Sequence, residues 1–127
     1  VKRQGKDVTI VTWSKMLAVA MKGAEQLAKQ GIEAEVLDLR TLVPLDKESV
    51  LASVRKTGRL VVLHEATRTG GFAGEICAVV TEEAFHSLKA PFRRVTGPDI
   101  PVPCSPPLEQ FFVPNEANLV RAIQEIL

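Results

Sequence analysis

The sequence predicts an α/β protein of three layers, in which helices cover both faces of a mostly parallel sheet. Short apolar runs rich in β-branched residues alternate along the chain with segments whose apolar residues recur at helical spacing. Residues 60–63 are apolar throughout, which is typical of a strand buried on both faces of a parallel sheet. The expected strands are residues 8–13, 34–39, 60–65 and 92–96, of which the third ends at His64-Glu65.

Capping residues mark the expected helices between these strands. Ser14 is placed to cap a first helix that ends near Gly31, and Asp46 to cap a second that ends at Gly58. A third helix follows a glycine-rich turn, and Asn115 is placed to cap a last one. The short polar segment 1–4 is expected to run against the other strands at one edge of the sheet.

Length and composition indicate one globular domain over residues 1–127. Hydrophobic residues make up 46% of the chain and charged residues 24%, and the net charge is +1. Such a balance gives no surplus of cations for a polyanion, so neither nucleic acid nor a membrane is an expected partner. Cys77 and Cys104 follow no metal-ligand or disulfide pattern, which favours a reducing compartment. Because the chain begins at Val1, we expect a piece of a longer protein.

Residues 98–114 form a proline-rich segment. It holds six of the eight prolines in the chain: Pro98, Pro101, Pro103, Pro106, Pro107 and Pro114. Proline disfavours helix interiors and central strands, so we expect neither in this segment. The segment is also too apolar for a disordered linker. It is predicted to be an ordered, extended arm that lies across this domain or a neighbour.

The glycine-rich turn after the third strand allows three interpretations. A phosphate could bind at the helix that follows, but no nucleotide-binding spacing is present and Glu75 would repel it. His64 and Glu65 could act as a general acid and base, although neighbours on a strand point to opposite faces. The third interpretation, which we prefer, is a tight turn that Gly70 and Gly71 shape for close approach of a partner chain.

Several motifs together resemble one known family, the C-terminal domain of the beta subunit of thiamine-diphosphate-dependent 2-oxo acid dehydrogenases, which includes the pyruvate, branched-chain and acetoin-type enzymes. The resemblance covers essentially all of residues 6–127, and a weaker likeness extends to transketolase and deoxyxylulose-phosphate synthase. The motifs are Leu37-Asp38-Leu39-Arg40-Thr41-Leu42, Pro44-Leu45-Asp46, Lys56-Thr57-Gly58-Arg59, His64-Glu65-Ala66, Thr69-Gly70-Gly71-Phe72, Arg94-Val95-Thr96-Gly97-Pro98-Asp99, Pro101-Val102-Pro103 and Ser105-Pro106-Pro107-Leu108-Glu109.

The resemblance implies a five-stranded sheet with one antiparallel edge strand, the first. It also implies that the strands beginning near Val8 and Leu60 are neighbours whose crossovers leave to opposite faces, so that their carboxyl ends flank the topological switch point. In this family that end of the sheet packs against other subunits. The implied interface residues are His64, Glu65, Thr69, Gly70, Gly71, Phe72, Pro101, Pro103, Pro106 and Pro107.

The resemblance places the chemistry outside this chain. Thiamine diphosphate and Mg²⁺ would be bound by the alpha subunit and by an N-terminal domain of the beta subunit, so no catalytic, cofactor-binding or metal-binding residue is assigned here. The fragment is expected to be inactive alone, although its parent protein is an oxidoreductase. Its implied partners are that N-terminal domain, the alpha subunit, a second beta subunit and the dihydrolipoamide acyltransferase, in the cytoplasm or, in a eukaryote, the mitochondrial matrix.

Docking to the acyltransferase is where this sequence departs from the family. Members usually carry an acidic residue just before an Ala-Pro pair, where this chain has Lys89. A cation there would repel the arginine that the acyltransferase presents, so the site has moved, reversed its charge or been lost. Leu127 is a second expected contact through its carboxylate, and Glu82 and Glu83 are possible substitutes.

Other functions stay open on the sequence. The chain could be a separate nucleotide- or anion-binding module that uses the turn from Gly70 to Gly74, or the C-terminal domain of another transketolase-like enzyme. A small hydrolase built around His64 and Glu65 is a further alternative, although no nucleophile motif accompanies them.

Overall fold

The computed structural model describes residues 1–127, which form four strands and five helices. The third helix continues into a short 3₁₀ turn over Phe85–Ser87. The elements in chain order are β1 (Val8–Thr12), α1 (Met16–Ala28), β2 (Ala34–Asp38), α2 (Lys47–Thr57), β3 (Leu60–Thr67), α3 (Phe72–Ala84), β4 (Arg93–Gly97), α4 (Pro106–Phe112) and α5 (Glu116–Gln124).

All four strands are parallel, in the order β2-β1-β3-β4. The expectation of a fifth, antiparallel edge strand is wrong. Residues 1–4 make only one antiparallel bridge, between Arg3 and Val36. The chain then turns into β1, because the N–H groups of Lys6 and Asp7 both donate to the carbonyl of Glu33 at 3.0 Å. Gly5 permits this turn, since its Cα lies against the backbone of β2.

Two apolar cores lie on opposite faces of the sheet. One joins the sheet to α1 and α5 and includes Ile10, Leu27 and Leu119. The other joins it to α2 and α3 and includes Leu60 and Ile76. The crossover that follows β1 therefore leaves to one face, and the crossover that follows β3 leaves to the other. Because β1 and β3 are adjacent, their carboxyl ends flank the switch point, as predicted.

The helix caps agree with the sequence at four of five positions. Gly31 follows α1 with φ +79°, and its N–H donates to the carbonyl of Ala28 at 3.0 Å. The Asp46 side chain accepts from the Ser49 N–H at 3.1 Å, Gly58 ends α2 in the left-handed conformation, and Asn115 begins α5 in a capping box. The cap predicted at Ser14 is wrong. That residue has φ +56° at the junction of β1 and α1, so the helix begins after Lys15.

The proline-rich segment 98–114 contains a helix, α4, contrary to expectation. Pro106 and Pro107 occupy its first turn, where the missing N–H groups need no intrahelical partner. Phe112 at the end of α4 is 5% exposed and packs against Gly97. Leu108 and Phe111, by contrast, are exposed.

A polar network lies between β1, β2 and α2. The buried Glu35 carboxylate accepts hydrogen bonds from the Ser53 hydroxyl at 2.7 Å and from the Lys56 ammonium. Burial raises the pKa of Glu35, but the hydrogen bonds from Lys56, Ser53 and Gly5 outweigh it and hold this pKa below its usual value. The network therefore keeps a charged carboxylate inside the fold.

The two cysteines have different surroundings. Cys77 lies in α3 and is 3% exposed, whereas Cys104 is exposed on the proline-rich segment. Burial raises the pKa of the Cys77 thiol to about 12. None of the helices is long and apolar enough to cross a membrane.

Candidate functional site

The carboxyl end of β3 places a histidine under the glycine-rich turn. His64 is 1% exposed, and neither of its ring nitrogens forms a hydrogen bond. Burial lowers the pKa of His64 below its usual value, although the nearby backbone of Ala66 and of His64 itself opposes the shift. His64 is therefore a neutral, sealed side chain, while its neighbour Glu65 is exposed to solvent.

Gly71 closes the turn directly above this ring. It is the residue before α3, and a Cβ there would collide with the Thr67 carbonyl and stand 2.7 Å from Nε2 of His64. Gly70 has φ +73° and open space around it, so it provides the reversal of the chain. The two glycines thus have different tasks, of which one is close packing and the other is the turn.

Aromatic side chains from three elements meet at this switch point. The ring of Trp13, just after β1, lies 5.4 Å from the His64 ring and 6.1 Å from the Phe72 ring. The contact with Phe72 is edge to face, an arrangement that aromatic pairs favour. These contacts hold the start of α3 against the ends of β1 and β3.

The turn is also tied to the start of the proline-rich segment. The N–H and the hydroxyl of Thr69 donate to the two carboxylate oxygens of Asp99, at 2.8 and 2.6 Å. These hydrogen bonds lower the pKa of the Asp99 carboxyl. Two stretches predicted to contact neighbouring subunits are therefore joined to each other on one surface.

The predicted interface residues divide into two groups. His64, Thr69, Gly70, Gly71 and Phe72 lie together at the switch point, and Glu65 is exposed beside His64 on the same strand. A second group lies along the segment after β4. It consists of Pro101, Pro103, Pro106 and Pro107, of which Pro103 is half-buried and the others are exposed.

The two predicted docking residues lie near one turn at the other end of the sheet. The Lys89 N–H donates to the Gly58 carbonyl at 2.8 Å, and the Lys89 side chain packs on Gly58. The Arg59 Nε donates at 2.8 Å to the carbonyl of Ile126, the residue before Leu127. The turn from Gly58 to Arg59 thus brings the two predicted contacts to one surface.

The site offers little for catalysis. A hydrolase would need a nucleophile beside His64, but this ring is sealed from solvent and has no hydrogen-bond partner. The buried thiol of Cys77 is protonated at neutral pH. His64 and Glu65 also differ in exposure, so they do not act on one atom.

The residues of this chain do not fit thiamine diphosphate and its Mg²⁺. A magnesium site needs several oxygen ligands, and no group of three or more His, Cys, Asp and Glu residues could hold a metal ion. In addition, Glu75 lies in the first turn of α3, where its charge opposes a diphosphate at the helix N-terminus.

Two residues that help to form this site, Trp13 and Asp99, are not identified from the sequence. Trp13 comes from a different strand, and only the register that pairs Thr12 with Leu63 places it beside His64. Asp99 carries no local sign of its bond to Thr69, which is 30 residues away in the chain. The family resemblance already implies that the strands near Val8 and Leu60 are neighbours, and only the register between them was lacking to identify Trp13.

The fold and this site define a three-layer α/β domain whose switch point is filled by its own side chains. The family described as "Transketolase, C-terminal domain" matches residues 1–119. The chain therefore belongs to the transketolase C-terminal domain family.

Three similar proteins are beta subunits of larger enzymes. The chain is 50% identical to the pyruvate dehydrogenase E1 component subunit beta-1, mitochondrial, of Arabidopsis thaliana, over 96% of this chain and 34% of that protein. It is 48% identical to the acetoin:2,6-dichlorophenolindophenol oxidoreductase subunit beta of Cupriavidus necator, over 98% of this chain and 37% of that protein. It is 39% identical to the 2-oxoisovalerate dehydrogenase subunit beta of Bacillus subtilis, over 99% of this chain and 39% of that protein. The chain thus spans little more than a third of the length of these relatives.

Two solved structures share the fold. A split-gene transketolase, described as an inactive beta4 tetramer, superposes with a TM-score of 0.87 at 32% identity, over 100% of this chain and 41% of that one. A 2-oxoglutarate:ferredoxin oxidoreductase from Magnetococcus marinus superposes with a TM-score of 0.62 at 17% identity, over 96% of this chain and 18% of that one. The second likeness concerns the fold alone.

Proposed function

We propose that this chain is the C-terminal assembly domain of the beta subunit of a 2-oxo acid dehydrogenase complex. The observation that carries the proposal is the 50% identity, over 96% of the chain, to the beta subunit of a pyruvate dehydrogenase. In the complete enzyme a 2-oxo acid is oxidatively decarboxylated and its acyl group passes to a lipoyl group. This domain would hold the subunits together while other domains carry out that reaction.

The geometry of the switch point supports an assembly role. Trp13 and His64 make a rigid base, on which Gly71 packs without space for a side chain. Above that base, Glu65, Thr69 and Gly70 are exposed. A firm turn with accessible backbone suits contact with another chain, because little conformational entropy is lost when it binds. The partners proposed for it are the N-terminal domain of the beta subunit, the alpha subunit and a second beta subunit.

The cofactor chemistry belongs to those missing parts. When bound there, thiamine diphosphate would stabilise the carbanion that decarboxylation of a 2-oxo acid produces. The relatives named for pyruvate, acetoin and 2-oxoisovalerate are 50%, 48% and 39% identical to this chain. Since one domain accompanies three different substrates, we assign substrate selection to the missing parts as well. The proposed compartment is the cytoplasm or, in a eukaryote, the mitochondrial matrix.

For the acyltransferase we propose docking at the turn from Gly58 to Arg59. Lys89 and the C-terminal residues flank this turn, and Arg59 adds a second cation. A surface with Lys89 and Arg59 favours an acidic contact on the acyltransferase and disfavours an arginine. Replacement of Lys89 by Glu would then weaken capture of the native acyltransferase.

A chimeric beta subunit tests the assembly role. The chain would replace the C-terminal third of the Bacillus subtilis 2-oxoisovalerate dehydrogenase subunit beta, co-expressed with the alpha subunit of that enzyme. The chimera is expected to assemble with the alpha subunit, as seen by size-exclusion chromatography, and to release CO₂ from 2-oxoisovalerate. The same beta subunit without a C-terminal third is expected to do neither.

Matched variants distinguish assembly from folding. Glu65→Arg reverses a charge on the exposed end of β3, whereas Glu25→Arg makes the same change on exposed α1. In the 127-residue chain both substitutions should keep the melting temperature of the wild type, but in the chimera only Glu65→Arg should lose assembly and activity together. Activity without assembly, or an equal effect of both substitutions, would count against the proposal.

A further inference from the structure

A groove follows the free edge of the sheet along β4. In the sheet β4 has β3 as its single neighbour, so its other edge carries main-chain N–H and C=O groups without a strand partner. Residues 93–99 line this groove in an unbroken run. The end of α4 and one side of α5 form a wall, through Phe111, Asn118 and Arg121. The free edge is therefore accessible at the base of a shaped channel.

Arginine side chains dominate the charge of this groove. Arg68, Arg93, Arg94 and Arg121 line it, against two acidic residues, Asp99 and Glu125. Both carboxylates are already engaged, Asp99 by Thr69 and Glu125 by Arg93 at 3.2 Å. By contrast, Arg68, Arg94 and Arg121 form no salt bridge.

Two of these arginines hold each other in place. Arg68 donates to the carbonyl of Arg94 at 3.1 Å, and Arg94 donates to the carbonyl of Arg68 at 3.4 Å. Two like charges are thus held beside β4 by backbone carbonyls. The charge of Arg68 helps to lower the pKa of the nearby Asp99 carboxyl, but neither arginine forms a salt bridge. Such a pair has remaining N–H donors directed to a carboxylate that arrives from outside.

From these observations we infer that the free edge of β4 binds an acidic, extended segment of a partner polypeptide. The segment would add a strand to the sheet beside the five residues of β4. Its main chain would pair with the edge. Carboxylates on one face of the added strand would meet Arg68 and Arg94 on the side of α3, and carboxylates on its other face would meet Arg121 on the side of α5. Strand addition supplies affinity, and the arginines select for acidic side chains.

A second copy of this chain fits the edge less well. Pairing of two β4 strands would bring Arg68, Arg94 and Arg121 of both copies, none of them in a salt bridge, into one seam where like charges repel. A cationic segment is disfavoured for the same reason. The acidic partner is the occupant that the charges select.

Fluorescence anisotropy with designed peptides tests this inference on the 127-residue chain. The probe is a fluorescein-labelled peptide of Glu-Glu-Val repeats flanked by Gly, in low-salt buffer, which presents carboxylates on both faces of an extended strand. One comparison peptide has Lys in place of Glu. Another keeps the Glu and Val side chains but is N-methylated at alternate peptide bonds, which blocks strand pairing and preserves charge. The acidic peptide should bind saturably, the Lys peptide should not, and N-methylation should weaken binding more than about tenfold.

A pair of charge-reversal variants locates the binding site. Arg121→Glu changes an exposed residue of α5 that lines the groove, and Lys29→Glu changes an exposed residue just after α1 that does not line it. Arg121→Glu should lower the affinity for the acidic peptide at least about tenfold, whereas Lys29→Glu should change that affinity less than about twofold. Both variants should keep the melting temperature of the wild type.

Other outcomes would overturn the inference. Equal affinity for the N-methylated peptide would reduce the interaction to charge alone. If a single-stranded oligonucleotide displaced the labelled peptide as well as the unlabelled acidic peptide does, the groove would be a site for polyanions in general. A wild-type dimer that the acidic peptide dissociates would assign the edge to a second copy. In NMR spectra, amide shifts confined to residues outside 93–97 would place the peptide elsewhere.

Discussion

Gly71 lies so close to His64 that a Cβ on the glycine would stand 2.7 Å from the Nε2 atom of the imidazole. The contact joins the residue before α3 to the buried end of β3. Because the φ of Gly71 is −71°, an ordinary value for any residue, the need for glycine here is steric. A substitution at Gly71 therefore tests close packing alone, without a change in the backbone conformation that glycine favours.

Replacement of Gly71 by Ala should destabilise the chain by about 1–3 kcal/mol, since the turn or the His64 ring must move to admit a methyl group. Gly74→Ala is the matched control in the same helix, because a Cβ there meets nothing within 4 Å. That variant should gain up to about 1 kcal/mol from helix propensity. Thermal denaturation of both variants measures the difference, and equal melting temperatures would refute the steric account.

His64 should make stability fall in mild acid. Burial lowers the pKa of His64 in the folded chain, so the unfolded chain binds more protons below the ordinary value of 6.5. Folding free energy is therefore lost as the pH falls below that value. His64→Leu removes this titration and both unpaired nitrogens. The variant should lose less stability than the wild type between about pH 7.5 and about pH 5, as measured by urea unfolding.

His86→Gln serves as the control for that experiment. This histidine is exposed in the 3₁₀ turn after α3, so its removal should leave the pH dependence of the wild type in place. If His64→Leu and the wild type lost the same free energy across the range, His64 would not be the group responsible.

Lys56→Met should leave the Glu35 carboxylate buried without its cation. We expect a loss of about 1–3 kcal/mol at neutral pH, less than for a fully buried pair because Lys56 is half exposed. The folded-state pKa of Glu35 should then rise, so the difference from the wild type should shrink as the pH falls from neutral through this raised pKa and towards the lowered pKa of the wild type. Lys22→Met breaks only an exposed pair with Glu116 and should cost at most about 0.5 kcal/mol in urea unfolding.

Asn115→Ala should weaken the start of α5. The Asn115 side chain accepts from the Asn118 N–H at 2.9 Å, and the Asn118 side chain accepts from the Asn115 N–H at 3.0 Å. Loss of such a cap costs about 1 kcal/mol. Ala117→Ser, at an exposed position in the same turn, is the control and should change little. Urea unfolding checks both variants through their midpoints, provided that the dependence of the unfolding free energy on urea concentration is unchanged. An unchanged midpoint for Asn115→Ala would contradict the role of the capping box.

Asp99→Ala should release the proline-rich segment from the turn. Without the carboxylate, the hydroxyl and N–H of Thr69 lose the partner that ties the two together. Amide exchange of Ile100 and Val102 should become faster in hydrogen-exchange mass spectrometry. Glu109→Ala removes an exposed carboxylate from α4 and is the control. Unchanged exchange in Asp99→Ala would show that other contacts hold the segment.

Hydrophobic spacing and capping residues were enough to predict the parallel strands and four of the five helices. Those signals are local, and the cores that they describe lie where expected. β3 runs to Thr67, beyond the expected end, because backbone pairing with Gly97 continues past an irregularity after Leu63. α4 was missed because proline was judged as a helix breaker, although Pro106 and Pro107 stand in the first turn.

The site depended more on contacts between distant residues. The turn of Gly70 and Gly71 was visible in the sequence, but its packing on His64 and Trp13 depends on strand order. The reciprocal contacts of Arg68 and Arg94 arise from the pairing of β3 with β4. Local patterns contain no information on such pairs. The family resemblance supplied the adjacency of β1 and β3, but not the side-chain contacts between them.

The unequal burial of the two thiols makes this chain convenient to label. Cys77 is 3% exposed, and burial raises its pKa to about 12, so a water-soluble maleimide would find only Cys104. A fluorophore attached there would stand on the stretch between β4 and α4, with no need to engineer a new attachment point. Its emission would then report when another protein approaches that side of the domain.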